Sequence, residues 1–181
     1  MVWELALGHD GRGEIRPSPR PQSTMTLSHR KFSITVDIAA APARVWEVMS
    51  DVGRWHEWTP SVTSIKRLDT GAFAVGSRVV IRQPRFPPAW WKITAIEPGR
   101  SFTWTSIAPG MRVEARHQVD AAPGGSQATL SLELQGLFGG LFGRLTRDIT
   151  ERYLAFEGRG LKARSENPQF FHAGAHAPGT S

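Results

Sequence analysis

The stretch FSITVDIAAAPARVWEVMSDVGRWHEWTP, residues 32–60, contains the changes of pattern that decide the fold. In residues 32–38 apolar and polar side chains alternate, a period of two that predicts a strand with one buried face. The next segment places Val45 and Met49 four residues apart, which predicts a short amphipathic helix. The aromatic segment WHEWTP, residues 55–60, closes the unit. A strand followed by a short helix and an aromatic loop is therefore expected at the start of the domain.

After Pro60 the chain shows strand patterns separated by turns rich in glycine and proline. Consecutive strands joined by short turns predict an antiparallel meander. In the last strand Leu130, Leu132 and Leu134 alternate with polar residues, so we expect one buried and one solvent-exposed face. The predicted strands cover residues 61–68, 77–83, 90–97, 101–107, 111–121 and 127–135.

From about Phe138 the apolar pattern changes to a helical period. Glycines at positions 139, 140 and 143 disfavour a regular helix there, so the regular part is expected to begin near Leu141. This final helix is predicted to be amphipathic. Its apolar stripe is expected to consist of Leu141, Leu145, Ile149, Tyr153 and Phe156.

Both ends of the chain have the composition of unpacked arms. Residues 1–31 contain the run RPSPRP, and residues 166–181 combine glycine with proline. The predicted organisation is a disordered N-terminal arm (1–31), a folded domain (32–165) and a disordered C-terminal tail (166–181). Because Met25 stands just before the first strand, residues 1–24 are expected to be dispensable or to come from an over-extended start.

Composition and charge argue against several classes of function. The chain has no cysteine, which excludes disulfides, thiolate catalysis and cysteine metal sites. Residues 32–161 carry 15 Lys or Arg against 12 Asp or Glu, interspersed along the chain, so nucleic-acid binding is not expected. No signal-peptide pattern opens the chain, and no segment approaches the roughly 20 apolar residues of a membrane span. We therefore expect a cytoplasmic protein without stable membrane insertion.

The order of these segments resembles the SRPBCC or START-like helix-grip superfamily, which includes START domains, plant pathogenesis-related allergens and bacterial polyketide cyclase/dehydrase proteins. The resemblance is greatest to the polyketide cyclase/dehydrase type and covers about residues 32–164. It implies an α+β fold in which a curved antiparallel β-sheet wraps around a long C-terminal α-helix, with two short helices after the first strand. It implies no single activity, because one fold serves many functions. The resemblance rests on the closing helix and on APARVW (41–46), DVGRWHEW (51–58), GSR (76–78) and EPGRSFTW (97–104).

Strand alternation predicts which side chains face the space between the sheet and the helix. If the leucines of the last strand face the helix, Ala95 and the apolar positions of the other strands face it as well, unless the register slips by one residue. The resulting lining is mostly aromatic with few polar groups, as in small-molecule pockets. A solid core packed against the helix is the alternative. The predicted ligand-binding residues are Trp55, Val79, Ile81, Gln83, Trp91, Phe102, Trp104, Ser106, Val113 and His117.

His117 is a weak catalytic candidate. A buried histidine on a pocket wall is able to act as a general acid or base. A lone inward histidine is more often a hydrogen-bonded core residue, and the sequence pattern places no acid to orient this one. In the aromatic loop, a lid or mouth formed by Trp55, His56 and Trp58 is one hypothesis. The alternative is that the two tryptophans anchor the short helices to the sheet; anchoring is favoured for Trp58, and both roles stay open for Trp55.

Two patterns that resemble cofactor sites do not qualify. His172 and His176 have the spacing of a metal pair but lie in a tail rich in glycine and proline with no carboxylate nearby, so no metal site is predicted. The glycine-rich segment 136–143 lacks the lysine of a phosphate-binding loop, so no nucleotide cofactor is predicted.

Three functions fit these observations. The leading hypothesis is a carrier or sensor that binds a hydrophobic small molecule such as a lipid, an aromatic metabolite or a polyketide. The second is an enzyme like the polyketide cyclase/aromatases, acting without metal or nucleotide, with His117 assisted by Gln83 or Arg112. The third is a protein-interaction module of the chaperone-activating type, with a filled core and an exposed patch around Trp90 and residues 84–88. The protein partner of such a module is not indicated.

Overall fold

The computed structural model of the chain describes residues 29–167. Most of the two predicted arms, residues 1–28 and 168–181, lies outside the described residues. A 3₁₀ helix, Val52–Glu57, follows the first α-helix. The other elements, in chain order, are β1 (Arg30–Ile38), α1 (Pro42–Ser50), β2 (Ser64–Arg67), β3 (Arg78–Arg82), β4 (Ala89–Glu97), β5 (Ser101–Ala108), β6 (Met111–Ala122), β7 (Gly125–Gln135), α2 (Gly139–Leu145) and α3 (Arg147–Glu166).

The seven strands form one antiparallel sheet in the order β1-β7-β6-β5-β4-β3-β2, so the first strand closes the meander beside the last one. The predicted fold class is confirmed: the sheet curves around the C-terminal helix, and two short helices follow β1. Strand β1 begins two residues earlier than expected. Arg30 pairs with Leu134 and Lys31 with Glu133, because β7 extends far enough to offer them partners, and polar residues carry no alternation that would reveal this.

The register between β6 and β7 places the predicted inward residues side by side. Ala115 pairs with Leu132 and His117 with Leu130, and these side chains lie on the face that packs toward α3. The same parity runs across β5, where Phe102 and Trp104 are buried. This face is the concave side of the sheet.

One predicted inward residue is wrong. Ala95 is exposed, because the pairing of β4 with β5 shifts between Ile93 and Ala95, where a β-bulge interrupts the alternation. Beyond the bulge Ile96, which pairs with Phe102, packs against the core in its place. The period of two holds only while the ladder is regular.

The expected single helical stripe is also wrong in its first part. The chain forms two helices that meet at Thr146, and Leu141 and Leu145 of α2 are exposed. Because Thr146 separates two helices, residues at the spacing of one continuous helix do not all share a buried face. The buried residues of α3 are largely small or polar: Thr150, Tyr153, Leu154, Gly158, Leu161 and Ser165.

The C-terminal half of α3 packs closely against the rest of the domain. A Cβ atom added to Gly160 would lie 2.1 Å from the carbonyl oxygen of Trp58, closer than any side chain permits. Polar contacts hold the same end. The Lys162 ammonium donates to the carbonyl oxygen of Asp37 at 2.7 Å, and a Glu166 carboxylate oxygen accepts from the backbone N–H of Ala39 at 2.7 Å.

We predict that Gly160→Ala destabilises the protein by about 1–3 kcal/mol, because the new methyl group meets a backbone oxygen that cannot move aside cheaply. In an ordinary helix the same change stabilises by about 1 kcal/mol. Gly158→Ala is the matched control, and it should cost less because the nearest atoms are the movable ends of Ile34 and Val36, at 2.7 and 2.8 Å. Urea denaturation measures both variants. A Gly160→Ala variant as stable as the wild type would contradict the close packing.

Candidate ligand-binding site

Between the concave face and the N-terminal half of α3 lies an inner cavity of about 70 Å³. This volume is large enough for several water molecules or for part of a ligand. The walls come from the 3₁₀ helix, from five strands and from α3. The lining residues are Trp55, Val62, Ile81, Gln83, Phe86, Trp91, Trp104, Ala115, His117, Ser131, Leu132, Thr150, Tyr153, Leu154 and Glu157.

His117 lines this cavity and is only 3% exposed. Its ring stacks on Phe102, with centroids 4.8 Å apart and planes inclined by 11°. The Trp55 and Trp104 rings meet it edge-on, at 5.0 and 5.5 Å. These three aromatic contacts fix the plane of the imidazole, so its nitrogen atoms have a defined direction.

The carboxylate of Glu157, on α3, faces His117. A Glu157 oxygen lies 3.6 Å from His117 Nε2, which is within ion-pair range when the imidazole is protonated but too long for a hydrogen bond. The other Glu157 oxygen accepts from Ser61 Oγ at 3.1 Å, and Ser61 Oγ lies 2.8 Å from the Thr59 hydroxyl. The Thr59–Ser61 turn therefore holds the carboxylate in place beside the histidine.

Several polar atoms of residues that line the cavity have no hydrogen-bond partner within residues 29–167. They are the indole Nε1 atoms of Trp91 and Trp104 and both ring nitrogens of His117. Buried polar groups normally find partners, and each unpartnered one costs about 1–3 kcal/mol. Trp55 shows the ordinary case, since its Nε1 donates to the Met49 carbonyl oxygen at 3.1 Å. Such a concentration of unsatisfied polar groups is unusual in a protein interior.

An outer groove of about 320 Å³ adjoins the inner cavity. Five residues line both spaces: Gln83, Phe86, Trp91, Leu132 and Thr150. Apart from Ser106, the remaining wall is apolar, and it includes the loop before β4, the hairpin between β5 and β6, and α2. Together the two spaces form a path from the inner cavity to the surface.

The loop between β3 and β4 forms one side of this path. The Tyr153 hydroxyl donates a hydrogen bond to the Pro84 carbonyl oxygen and so ties the loop to α3. The Phe86 ring packs edge-on against Tyr153, with centroids 5.8 Å apart, and lies 6.2 Å from the Phe142 ring. Burial raises the pKa of Tyr153 above its ordinary value, so this hydroxyl keeps its proton.

The structure brings most of the predicted site residues together. Trp55, Ile81, Gln83, Trp91, Trp104 and His117 line the inner cavity, while Ser106 and Val113 line the outer groove with Gln83 and Trp91. Val79 and Phe102 are buried but line neither space; Phe102 supports the His117 ring from behind. These residues are proposed here as the binding site.

Some expectations about individual residues do not hold. Trp55 is 1% exposed at the inner end of the cavity, so it is not a lid, and His56 is exposed and lines neither space. Arg112 does not assist His117, because it lies on the convex face, where it donates to Thr105 Oγ1 at 3.2 Å and to Glu114 at 3.1 Å.

The sequence pattern did not reveal the acid beside His117. Glu157 stands four residues after Tyr153 and next to Phe156, two members of the predicted apolar stripe, so a carboxylate beside an apolar helix face was the available signal. Ser61 gave no such signal, because its contact with Glu157 joins residues 96 positions apart.

Within the described residues there is no group of three or more His, Asp or Glu side chains suited to hold a metal ion. None of the helices in this part of the chain is long and apolar enough to cross a membrane.

We predict different costs for the same substitution at two tryptophans of the cavity. Trp55→Phe removes the donor to the Met49 carbonyl oxygen, whereas Trp104→Phe removes an N–H that has no partner. Trp55→Phe should therefore lower the free energy of unfolding by about 1 kcal/mol more than Trp104→Phe. Urea denaturation of the two variants measures the difference. Equal costs would show that the Trp104 N–H is already satisfied, which would weaken the case for a ligand oxygen at this point.

Comparison with solved structures shows the same fold in proteins of low sequence identity. The Zhui aromatase/cyclase from Streptomyces sp. R1128 superposes with a TM-score of 0.60 at 17% identity, over 83% of this chain and 99% of that one. Ginseng major latex-like protein 151 from Panax ginseng gives 0.64 at 16%, over 78% and 99%. Norcoclaurine synthase from Thalictrum flavum, in complex with dopamine and hydroxybenzaldehyde, gives 0.61 at 16%, over 88% and 95%.

The sequence matches no curated protein. The sequence model of one family, described as polyketide cyclase / dehydrase and lipid transport, matches residues 29–166. That range contains every strand and helix of the part that the structure describes, and it contains both the inner cavity and the outer groove. The chain therefore belongs to the polyketide cyclase/dehydrase and lipid transport family.

Proposed function

We propose that this protein binds a hydrophobic small molecule that carries a carbonyl or phenolic oxygen at one end. The observation that carries the proposal is the set of polar atoms without a partner in the described residues, which belong to residues lining a mostly aromatic and apolar cavity. A ligand oxygen there would accept from the indole N–H groups of Trp91 and Trp104. The apolar body of the ligand would lie along the outer groove.

The shape and lining of the path support this class of ligand. Apolar walls with a few orienting polar groups are typical of small-molecule sites. The rings of Trp55, Phe86, Trp91, Trp104 and Tyr153 favour a flat aromatic or polyketide-like molecule, because aromatic faces and edges pack well against planar ligands. The aromatic molecules named for norcoclaurine synthase show that this fold accepts such ligands in another protein.

Native mass spectrometry of the purified protein tests the proposal first. A discrete bound species that extracts into organic solvent and carries a carbonyl or phenol is the expected result. Unligated protein whose tryptophan fluorescence is unchanged by lipids, quinones and polyphenols would count against binding as the function.

We predict that Ala115→Leu weakens the binding of anilinonaphthalene sulfonate, a fluorescent apolar probe, by at least about tenfold, or about 1.4 kcal/mol. The larger side chain would fill the inner cavity beside His117, since Ala115 is buried in its wall. Ala121→Leu is the matched control, because it adds the same group to an exposed position of the same strand. Fluorescence titration measures both. Equal affinities for the two variants would place the probe outside the cavity.

Acid–base catalysis is a second candidate function, favoured by the His117–Glu157 pair. The imidazole is fixed by ring contacts, and the carboxylate 3.6 Å from Nε2 would stabilise the protonated ring. A histidine in this position is able to remove a proton from the carbon beside a ligand carbonyl. The Trp91 and Trp104 N–H groups would then stabilise the enolate oxygen.

This second function predicts that the protein catalyses deuterium exchange beside the carbonyl of a bound aryl ketone in D₂O, followed by NMR. His117→Gln should lower the exchange rate at least about a hundredfold. Glu157→Gln should lower it less, because the amide still accepts from Ser61 but does not stabilise the protonated imidazole. Exchange that is unaffected in His117→Gln, with ketone binding retained, would exclude His117 as the base and leave the binding function.

A further inference from the structure

The surface around the entrance of the outer groove is unusually apolar. We call it the mouth face and define it by six exposed residues: Trp90, Ile107, Leu137, Phe138, Leu141 and Leu145. Trp90 is 65% exposed and Leu145 is 77% exposed. Trp90 and Ile107 line the groove together, Ile107 and Leu137 share a neighbouring depression, and Leu141 and Leu145 lie on α2, whose Phe142 lines the groove. Isolated apolar residues are common on protein surfaces, but a group of them beside a groove often marks an interaction site.

Helix α2 has the reverse of the usual amphipathic arrangement. Its buried residues are Gly139 and Gly143, while Leu141 and Leu145 project into solvent. A Cβ added to Gly143 would lie 2.9 Å from the Arg30 side chain, so α2 lies flat on the domain through its glycines. Leu141 and Leu145 are therefore directed away from the core, although their spacing of four residues would allow a helix to bury both on one face.

The mouth face is bordered by positive charge. Arg144 lies on α2 itself, and Arg85 and Arg152 are close enough to Tyr153, on the groove wall, to influence its pKa. Within residues 29–167 the side chains of Arg85, Arg144 and Arg152 make no ion pair, unlike Arg147, which binds Glu151 at 2.9 Å. With Asp148 counted against these three arginines, the border remains positive.

We propose that the mouth face docks reversibly on the surface of a lipid bilayer that contains anionic lipids. Apolar side chains on an exposed helix, with arginines at its border, match the recognition of a membrane interface, where apolar groups enter the acyl boundary and cations contact the head groups. The positive charge at the border of the mouth face favours an anionic bilayer over an apolar protein groove as the partner. The protein lies on the membrane in this arrangement and does not span it.

Docking in this orientation opens the outer groove toward the bilayer. Trp90 belongs both to the mouth face and to the groove wall, and Phe142 of α2 also lines the groove, so a hydrophobic ligand would pass between lipid and groove without crossing water. This consequence rests on the proposed binding function. The docking itself depends only on the surface, and the test below does not require a ligand.

The test is flotation of the full chain with two kinds of vesicle, one of phosphatidylcholine alone and one of equal parts phosphatidylcholine and phosphatidylglycerol. The wild type should float with the anionic vesicles and bind the neutral ones at least about tenfold more weakly, because each unpaired arginine near the surface contributes roughly fivefold. Arg144→Gln/Arg152→Gln should lose most of this preference.

Leu141→Ser/Leu145→Ser tests the apolar contribution and should lower the binding to anionic vesicles at least about tenfold. Val75→Ser is the control, since Val75 is an exposed apolar residue outside the mouth face. All variants alter exposed side chains, and thermal melting checks that each is folded.

Three outcomes would overturn the proposal. The wild type would remain unbound on both vesicle types, or Leu141→Ser/Leu145→Ser would float as the wild type does. The third outcome is a dimer, detected by light scattering, that dissociates in Leu141→Ser/Leu145→Ser. This result would assign the mouth face to contact with a second copy of the chain. None of these outcomes would affect probe binding in the inner cavity, so the failure of docking is distinguishable from the failure of the binding function.

Discussion

The close approach of the C-terminal half of α3 to the domain is the constraint on which the remaining structure depends. Gly160 lets the helix pass against the Trp58 carbonyl oxygen, and Lys162 and Glu166 bind the backbone near the end of β1. With one end held this tightly against a curved sheet, the other end stands away from the strands. The inner cavity lies between the sheet and the segment of α3 from Thr150 to Glu157. Gly158 and Gly160, which allow the close packing, come after this segment in the helix.

The site combines a rigid apolar frame with polar atoms that the frame leaves unsatisfied. Rings pack around His117 on several sides, and the Thr59–Ser61 turn holds Glu157, so neither side chain is free to turn toward another partner. A protein optimised only for stability would replace such groups or pair them. The unsatisfied polar atoms belong to residues that line the inner cavity, where a bound molecule would gain the most from hydrogen bonds.

The character of the lining changes along the path from the inner cavity to the surface. The polar atoms without a partner in the described residues belong to residues of the inner cavity, the outer groove has mostly apolar walls, and the mouth face with its arginine border lies outermost. A hydrophobic ligand with one polar end would meet a matching environment at each depth. Helix α2, which sits on the domain through Gly139 and Gly143, contributes both to the groove wall and to the outer surface.

Local periodicity was sufficient to predict the order of elements, the antiparallel meander and the parity of most strands, because a period of two or of 3.6 records which face of an element is buried. That parity was enough to assign His117 and Trp104 to the concave face. The bulge that exposes Ala95, the break at Thr146 and the meeting of His117 with Glu157 became visible only in the folded chain. These features depend on contacts between segments that are distant in sequence, and local periodicity carries no information about such contacts.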